Sequence, residues 1–381
     1  MDQGRAAMKL PDGASPAPAS GPAQGWGRQL AAVIPGRVIR DADLRHDANI
    51  FNILRLVLAS AVIFSHGYDL TLVRPEPARE AFGQPVSWLA VVLFFTLSGF
   101  LVTNSLVQRG VLSFAKARLL RMVPGLWVML LVTSAITMFF FADPVALRAN
   151  PETLVRYIVQ NGLFIGRQFI IDTAYLGNPV DTTINGSLWT IPREVQCYVL
   201  LALLGGLGLL RGRGVLLALF VLGVIVDAIV PEAAMPFLEQ LRPLAISFFA
   251  GVLLFLWRDR VFLSWPLALA VIGLACLADA GAPQELAMQL AAAYVSLVLA
   301  FLAPASWKRF STAMPDYSYG IYIYAFPAQQ AAIALGIGTT PFANMLTGFA
   351  LTLPFAALSW HLIEKPALRL KSRAQPASAA A

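Results

Sequence analysis

The stretch FNILRLVLASAVIFSHGYDL, residues 51–70, is the first long apolar run of the chain, and it carries Arg55 and one of only three histidines, His66. It is long enough for a membrane helix of about 20 residues. Eleven helical steps of about 100° return to within roughly 20° of the starting direction, so Arg55 and His66 share one face, about 16 Å apart along the axis. A cation and a titratable ring at bilayer depth are costly unless they face a protein interior or a water-filled cavity. The stripe therefore reads as a functional site, against the plainer alternative of a helix-end histidine bonded to a neighbouring loop.

The rest of the chain has the same character. Of its 381 residues 58% are hydrophobic and 13% charged, with a mean hydropathy of +0.68; soluble domains carry about 25% charged residues. The net charge of +7 does not point to nucleic acid, because the basic residues lie in loops and tails rather than on a solvated face. Cys197 and Cys276 sit in apolar runs, offer no disulfide framework or metal-ligand spacing, and are expected as small core residues. No metal site and no permanently bound cofactor are expected.

Apolar runs at about 51–69, 86–107, 122–142, 187–210, 214–231, 237–257, 261–279, 285–303, 318–337 and 343–363 predict an all-α, polytopic bundle of about ten transmembrane helices. Twenty Lys and Arg fall on the side of the termini and five on the other (Arg74, Arg79, Arg148, Arg156, Arg167), which places both termini in the cytoplasm. The long connection 143–186 holds the short stretch YIVQNGLFIG, expected as a re-entrant or interfacial segment. Residues 1–45, rich in Pro, Ala and Gly, are expected as an unpacked cytoplasmic tail without a signal peptide, residues 46–370 as one membrane domain, and 371–381 as a second tail.

Several polar residues interrupt this background. Burial favours neutral imidazole at His66, the form that accepts a proton, and Asp69, one turn on, is placed to hold its tautomer. Arg118 and Arg121 share a face and suit a polyanion such as a nucleotide diphosphate, with topogenic charge as the plainer reading. In FFTLSGFLV, Ser98 and Gly99 read first as helix-packing residues. Arg193 and Glu194 follow Pro192 in NGSLWTIPREVQCY, either as an interfacial ion pair or as groups that orient His66 or a substrate. Asn185 opens a glycosylation sequon, a pattern common by chance. Tyr317, Tyr319, Tyr322 and Tyr324, with Gln329 and Gln330, form either an interfacial belt or a sugar-stacking cluster.

The order of these segments resembles membrane-bound acyltransferase family 3, which includes bacterial O-antigen, exopolysaccharide and Nod-factor O-acyltransferases. The resemblance runs over about 48–370 and rests on R-x10-H at Arg55 and His66, FFxxSGF at Phe94–Phe100, R-x-x-R at Arg118 and Arg121, SLWT-x-x-x-E at Ser187–Glu194, SYGIY at Ser318–Tyr322 and IEKP at Ile363–Pro366. It implies a multi-pass protein of the bacterial inner membrane that takes acyl-CoA, usually acetyl-CoA, from the cytoplasm and acylates a hydroxyl of a glycan or lipid-linked sugar. It further implies His66 as catalytic residue and sets Arg118 and Arg121 on the acyl-CoA side; from their own positions Glu194 and Asp69 are expected as catalytic residues in support of His66, Arg55 beside the acyl-CoA passage, and Arg193, Trp189, Tyr319 and Tyr322 toward the acceptor. Membrane lipids are the other expected partner. Two departures stand out: Ala325 occupies a position where members often carry histidine, and Arg193 one where an apolar or aromatic residue is usual. A carrier or flippase for a lipid-linked sugar is the alternative from another class.

Overall fold

Every long apolar run folds as helix in the computed structural model, which describes residue 27 and residues 29–370 except 146–149, 166, 167, 172, 231–233, 235–237, 239 and 280. The expectations for residues 1–26 and 371–381, and the placing of Arg148 and Arg167, lie outside the described residues. The helices are α1 (Phe51–Thr71), α2 (Pro77–Phe82), α3 (Val86–Phe140), α4 (Glu152–Gly162), α5 (Thr190–Gly206) and α6 (Arg213–Ile229). They continue with α7 (Leu241–Leu256), α8 (Trp265–Cys276), α9 (Ala282–Leu302), α10 (Ala305–Ala313), α11 (Ser318–Ala334) and α12 (Pro341–Leu358). A π-helical turn, Ser359–Glu364, carries α12 on into Lys365–Arg369.

The fold is thus nearly all-α. Four helical stretches, α1, α3, α9 and Pro341–Arg369, are long and apolar enough to cross a membrane. α7 and α8 are apolar but shorter, at 16 and 12 residues. On α6 only Leu216 is buried, while Leu219, Val221, Leu222 and Ile225 face outward. An outward apolar surface of that kind is stable against lipid and rare against water.

α3 is the spine of the bundle. Gly110, at φ 76° and ψ 170°, breaks its 55 residues into two arms, so the stretch between the expected spans 86–107 and 122–142 is helical beyond that glycine and presents Arg118 and Arg121 from a helix. The first arm crosses α7 backbone to backbone. A Cβ on Gly99 would lie 2.0 Å from the Phe248 carbonyl oxygen, and one on Gly251 2.1 Å from that of Thr96. Only glycine permits this approach. α1 packs between α3 on one side and the α11–α12 pair on the other.

Two expectations need correction. Residues 37–45 are packed: β1 (Arg37–Val38) pairs antiparallel with β2 (Phe262–Leu263), Ile39 is buried, and Arg37 is held by Asp43 and by the Phe301 carbonyl at 3.1 Å. The polar composition of that segment concealed its ion pairs. Cys197 is buried as expected, whereas Cys276 is exposed, because the outer face of α8 is itself apolar. Within 143–186, the 11-residue α4 spans only about 16 Å and is too short to cross.

Candidate active site

Arg55 from α1 and Arg118 and Arg121 from α3 converge on one cavity, whose wall also includes Ser98, Glu194, Tyr198, Tyr319 and Tyr322. The three cations are not equivalent. Arg121 donates to Asp316 at 2.7 Å and to the fully buried Glu364 at 3.1 Å, and its guanidinium lies against the rings of Tyr319 and Trp360. Arg55 reaches the same Asp316 oxygen at 3.1 Å and donates to Asn52 at 2.6 Å. Ser318 donates to the other oxygen of Asp316 at 2.6 Å. Burial acts to raise the Asp316 carboxyl, but the Arg121 and Arg55 guanidiniums outweigh it and hold the group well below the usual carboxylate range. Arg118 stands apart. It lies over the Tyr198 ring at 5.9 Å, its Nε is buried without a hydrogen-bond partner, and among the described residues no carboxylate pairs with it.

The opposite wall is built by one face of α5. Tyr198, Glu194 and Thr190, at four-residue intervals, all line the cavity, because a helix repeats its face every 3.6 residues. Ser98 Oγ donates to Glu194 Oε1 at 3.0 Å, the Tyr198 hydroxyl donates to the same oxygen, and the two hydroxyls lie 2.9 Å apart. One turn deeper, Thr190 Oγ1 and the Tyr322 hydroxyl are 2.6 Å apart, and Tyr322 donates to the Ser187 carbonyl at 3.1 Å. The Tyr322 ring meets Phe94 edge-on at 6.1 Å, and both line the cavity.

His66 is not in the cavity wall. Ser87 N donates to Ser65 Oγ at 2.7 Å, which fixes the start of α3 beside Ser65. The wall reaches Val91, four residues along, or about 6 Å. His66 therefore stands about one helical turn beyond the part of α3 that lines the cavity, edge-on to Phe326 at 5.2 Å, with Nδ1 buried and unpartnered. Helical side chains lean toward the N-terminus, here toward the cavity. Asp69, expected to hold the imidazole, instead accepts from Arg79 of α2 at 3.3 Å on an exposed surface.

The remaining expected residues divide. Tyr319 lines the cavity and donates to the Met122 carbonyl at 2.9 Å. Arg193 is buried, donates to Gln196 at 3.0 Å and does not line the cavity; Trp189 packs half-buried against the core. Tyr324 stacks on Phe355, and Tyr317 meets the His361 ring nitrogen at 3.0 Å. Gln329 and Gln330 are spent inside, donating to the carbonyls of Ile63 and Thr183. Asn185 is fully buried and donates to the Ile323 carbonyl at 2.8 Å, so the folded chain does not offer its sequon. Ala325 is buried against Ala59 and Ile63, which leaves an apolar contact where a histidine is common. Gly99 has the packing role expected of it, while Ser98 beside it is part of the cavity wall. Asp316, Glu364 and Tyr198 were not singled out from sequence; Asp316 sits two residues before SYGIY and Glu364 inside IEKP, so motif proximity was their only signal.

A helical membrane protein with an arginine-lined internal cavity and a histidine just beyond it is the class these features define. The acyltransferase domain of family 3 matches residues 49–361, and the chain belongs to that acyltransferase family. It is 30% identical to an O-acetyl transferase of Shigella phage Sf6, over 87% of this chain and 98% of that one. It is 29% identical to nodulation protein 10 of Rhizobium leguminosarum bv. viciae, over 85% of this chain and 94% of that one. No solved structure matches.

Proposed function

We propose that this acyltransferase moves an acetyl group from cytoplasmic acyl-CoA to a hydroxyl of a cell-surface or lipid-linked glycan. The observation that carries the reading is the distance along α1 between the cation-lined mouth and His66. The eleven residues from Arg55 to His66 rise about 16 Å, and the uncharged arm of CoA, with about the backbone length of four extended residues, spans roughly 14 Å. Phosphates held at the arginines thus bring the thioester to the histidine. The match to a relative named O-acetyl transferase supports an oxygen acceptor.

On this reading the helices that follow the ten apolar runs form the bundle in the inner membrane, α8 with help from its flanking residues, with both termini and the arginine mouth in the cytoplasm, as the charge bias favours. The Phe94–Tyr322 pair parts to admit the thioester. Neutral His66 takes the proton of the glycan hydroxyl as its oxygen attacks the thioester carbonyl. The C–S bond then breaks, and the CoA thiolate leaves with the proton that His66 returns. General-base catalysis of this kind contributes about 10² to 10⁴ in rate. Arg118 supplies the charge for the phosphates, while Arg121 and Arg55 are held by Asp316. Purified protein in vesicles, given labelled acetyl-CoA and bacterial glycans, is expected to yield labelled glycan. Transbilayer movement of a lipid-linked sugar with no acyl-CoA consumed contradicts the reading and favours a carrier.

A further inference from the structure

The Ser98–Glu194–Tyr198 cluster has no assigned task in the reaction above. It is a carboxylate in a cavity wall that receives two hydroxyl donors and, among the described residues, forms no ion pair. Its position on α5 is the informative part. The order leading away from Arg118 can be read along one face of the helix: Tyr198 beneath Arg118, then Glu194 with Ser98, then Thr190 with Tyr322. Successive levels are four residues, or about 6 Å, apart.

The arm of an acyl-CoA has a matching periodicity. It carries two amides, the distal one between the pantoyl and β-alanyl units and the proximal one before the thioethyl end, separated by a β-alanine of roughly 5 Å, somewhat more than one extended residue. Below the distal amide the pantoyl unit leads to the pyrophosphate over about 7 Å, two residues' worth of backbone. Laid along α5 with its phosphates at Arg118, the arm brings its distal amide level with Glu194 and Ser98, and its proximal amide level with Thr190 and Tyr322. The thioester then lies beyond Thr190, facing His66.

We propose that Ser98 and Glu194 form a binding subsite for the distal amide of the donor's pantetheine arm. Thr190 and Tyr322 receive the proximal amide. Glu194 accepts from the amide N–H, and Ser98, released from one of its two present contacts, donates to the amide carbonyl. A buried amide that loses such a partner binds much less well, because the group left unpaired has still given up water. The subsite thus fixes how deep the arm penetrates, and Glu194 acts in binding rather than in proton transfer. The inference rests on the acyl-CoA reading.

Donors of three lengths test it on the full-length protein: acetyl-CoA, S-acetylpantetheine, which lacks the nucleotide but keeps both amides, and S-acetyl-N-acetylcysteamine, which keeps only the proximal amide. Glu194→Gln and Ser98→Ala are each expected to raise KM about 10-fold for the first two donors and less than about 2-fold for the third. Arg118→Gln is expected to raise KM for acetyl-CoA alone. Loss of kcat in equal measure for all three donors, or a KM penalty that does not fall with donor length, overturns the subsite and marks the cluster as structural or acid–base. Ser98→Ala, a small truncation, keeps the test open should Glu194→Gln fold poorly. Failure of the wild type to use any of the three thioesters refutes the acyl-CoA reading itself, a result distinct from the others.

Discussion

Arg118 and Arg121 lie one helical turn apart on α3, yet only Arg121 is held by carboxylates, at 2.7 Å from Asp316 and 3.1 Å from Glu364. Two residues that look alike in sequence thereby take different tasks. Arg121 ties α3 to the loop before α11 and to the π-helical turn after α12, whereas Arg118 keeps its charge available to the cavity.

Arg118→Gln is expected to fold normally and, on the proposed reading, to raise KM for acyl-CoA by about tenfold or more through loss of one charge-assisted phosphate contact. Arg121→Gln leaves Glu364 buried and unpaired, at a cost of about 3–5 kcal/mol. Folded yield and melting temperature in detergent, measured beside KM, separate the two. Equal KM effects with unchanged stability contradict the division.

Asp316 adds a pH dependence. Its carboxyl is depressed in the folded protein, so the stabilisation it confers is present at and above the ordinary carboxylate pKa of about 3.9 and is lost only as pH falls below that range. The stability gap between wild type and Asp316→Asn is therefore expected to be constant from pH 7 to about pH 5 and to close only in stronger acid. A gap that closes between pH 7 and pH 5, read from melts at each pH, contradicts the two-arginine clamp.

Gly99 sets the α3–α7 crossing. A methyl there would lie 2.0 Å from the Phe248 carbonyl oxygen, and backbone has little freedom to retreat. Gly99→Ala is expected to cost about 2 kcal/mol or more and to lower the melting temperature together with activity. A variant as stable as wild type shows that the helices cross elsewhere.

Asp69 pairs with Arg79 on an exposed surface, where such pairs are worth about 0–1 kcal/mol. Asp69→Asn is expected to leave kcat within about twofold. A fall of a hundredfold or more restores the triad-like role that sequence spacing suggested.

These residues also show what a single chain makes legible. The Arg55–His66 stripe and the Arg118–Arg121 face follow from helical periodicity alone, and Tyr319, Tyr322 and Glu194 follow from their motifs; the structure brings all of these but His66 to one cavity. Asp316 and Glu364 stand 195 and 243 residues from Arg121, and no local pattern announces a contact between segments so distant. Asp69 misled for the opposite reason. Helical spacing put it beside His66, but a competing cation ten residues on, at Arg79, is visible only once α2 has folded back. Residues 37–45 looked unstructured because their order comes from pairing with β2, a partner more than two hundred residues away.

On the proposed reading acyl transfer ends at His66, a turn beyond the arginine-lined cavity. Acetyl transfer to glycan by purified His66→Ala, matched to wild type for folded protein and for acetyl-CoA binding, tests it most directly. The expected result is donor binding within about twofold of wild type with product formation reduced by at least 10², the lower range for a lost general base. Product formed by His66→Ala at the wild-type rate contradicts the account.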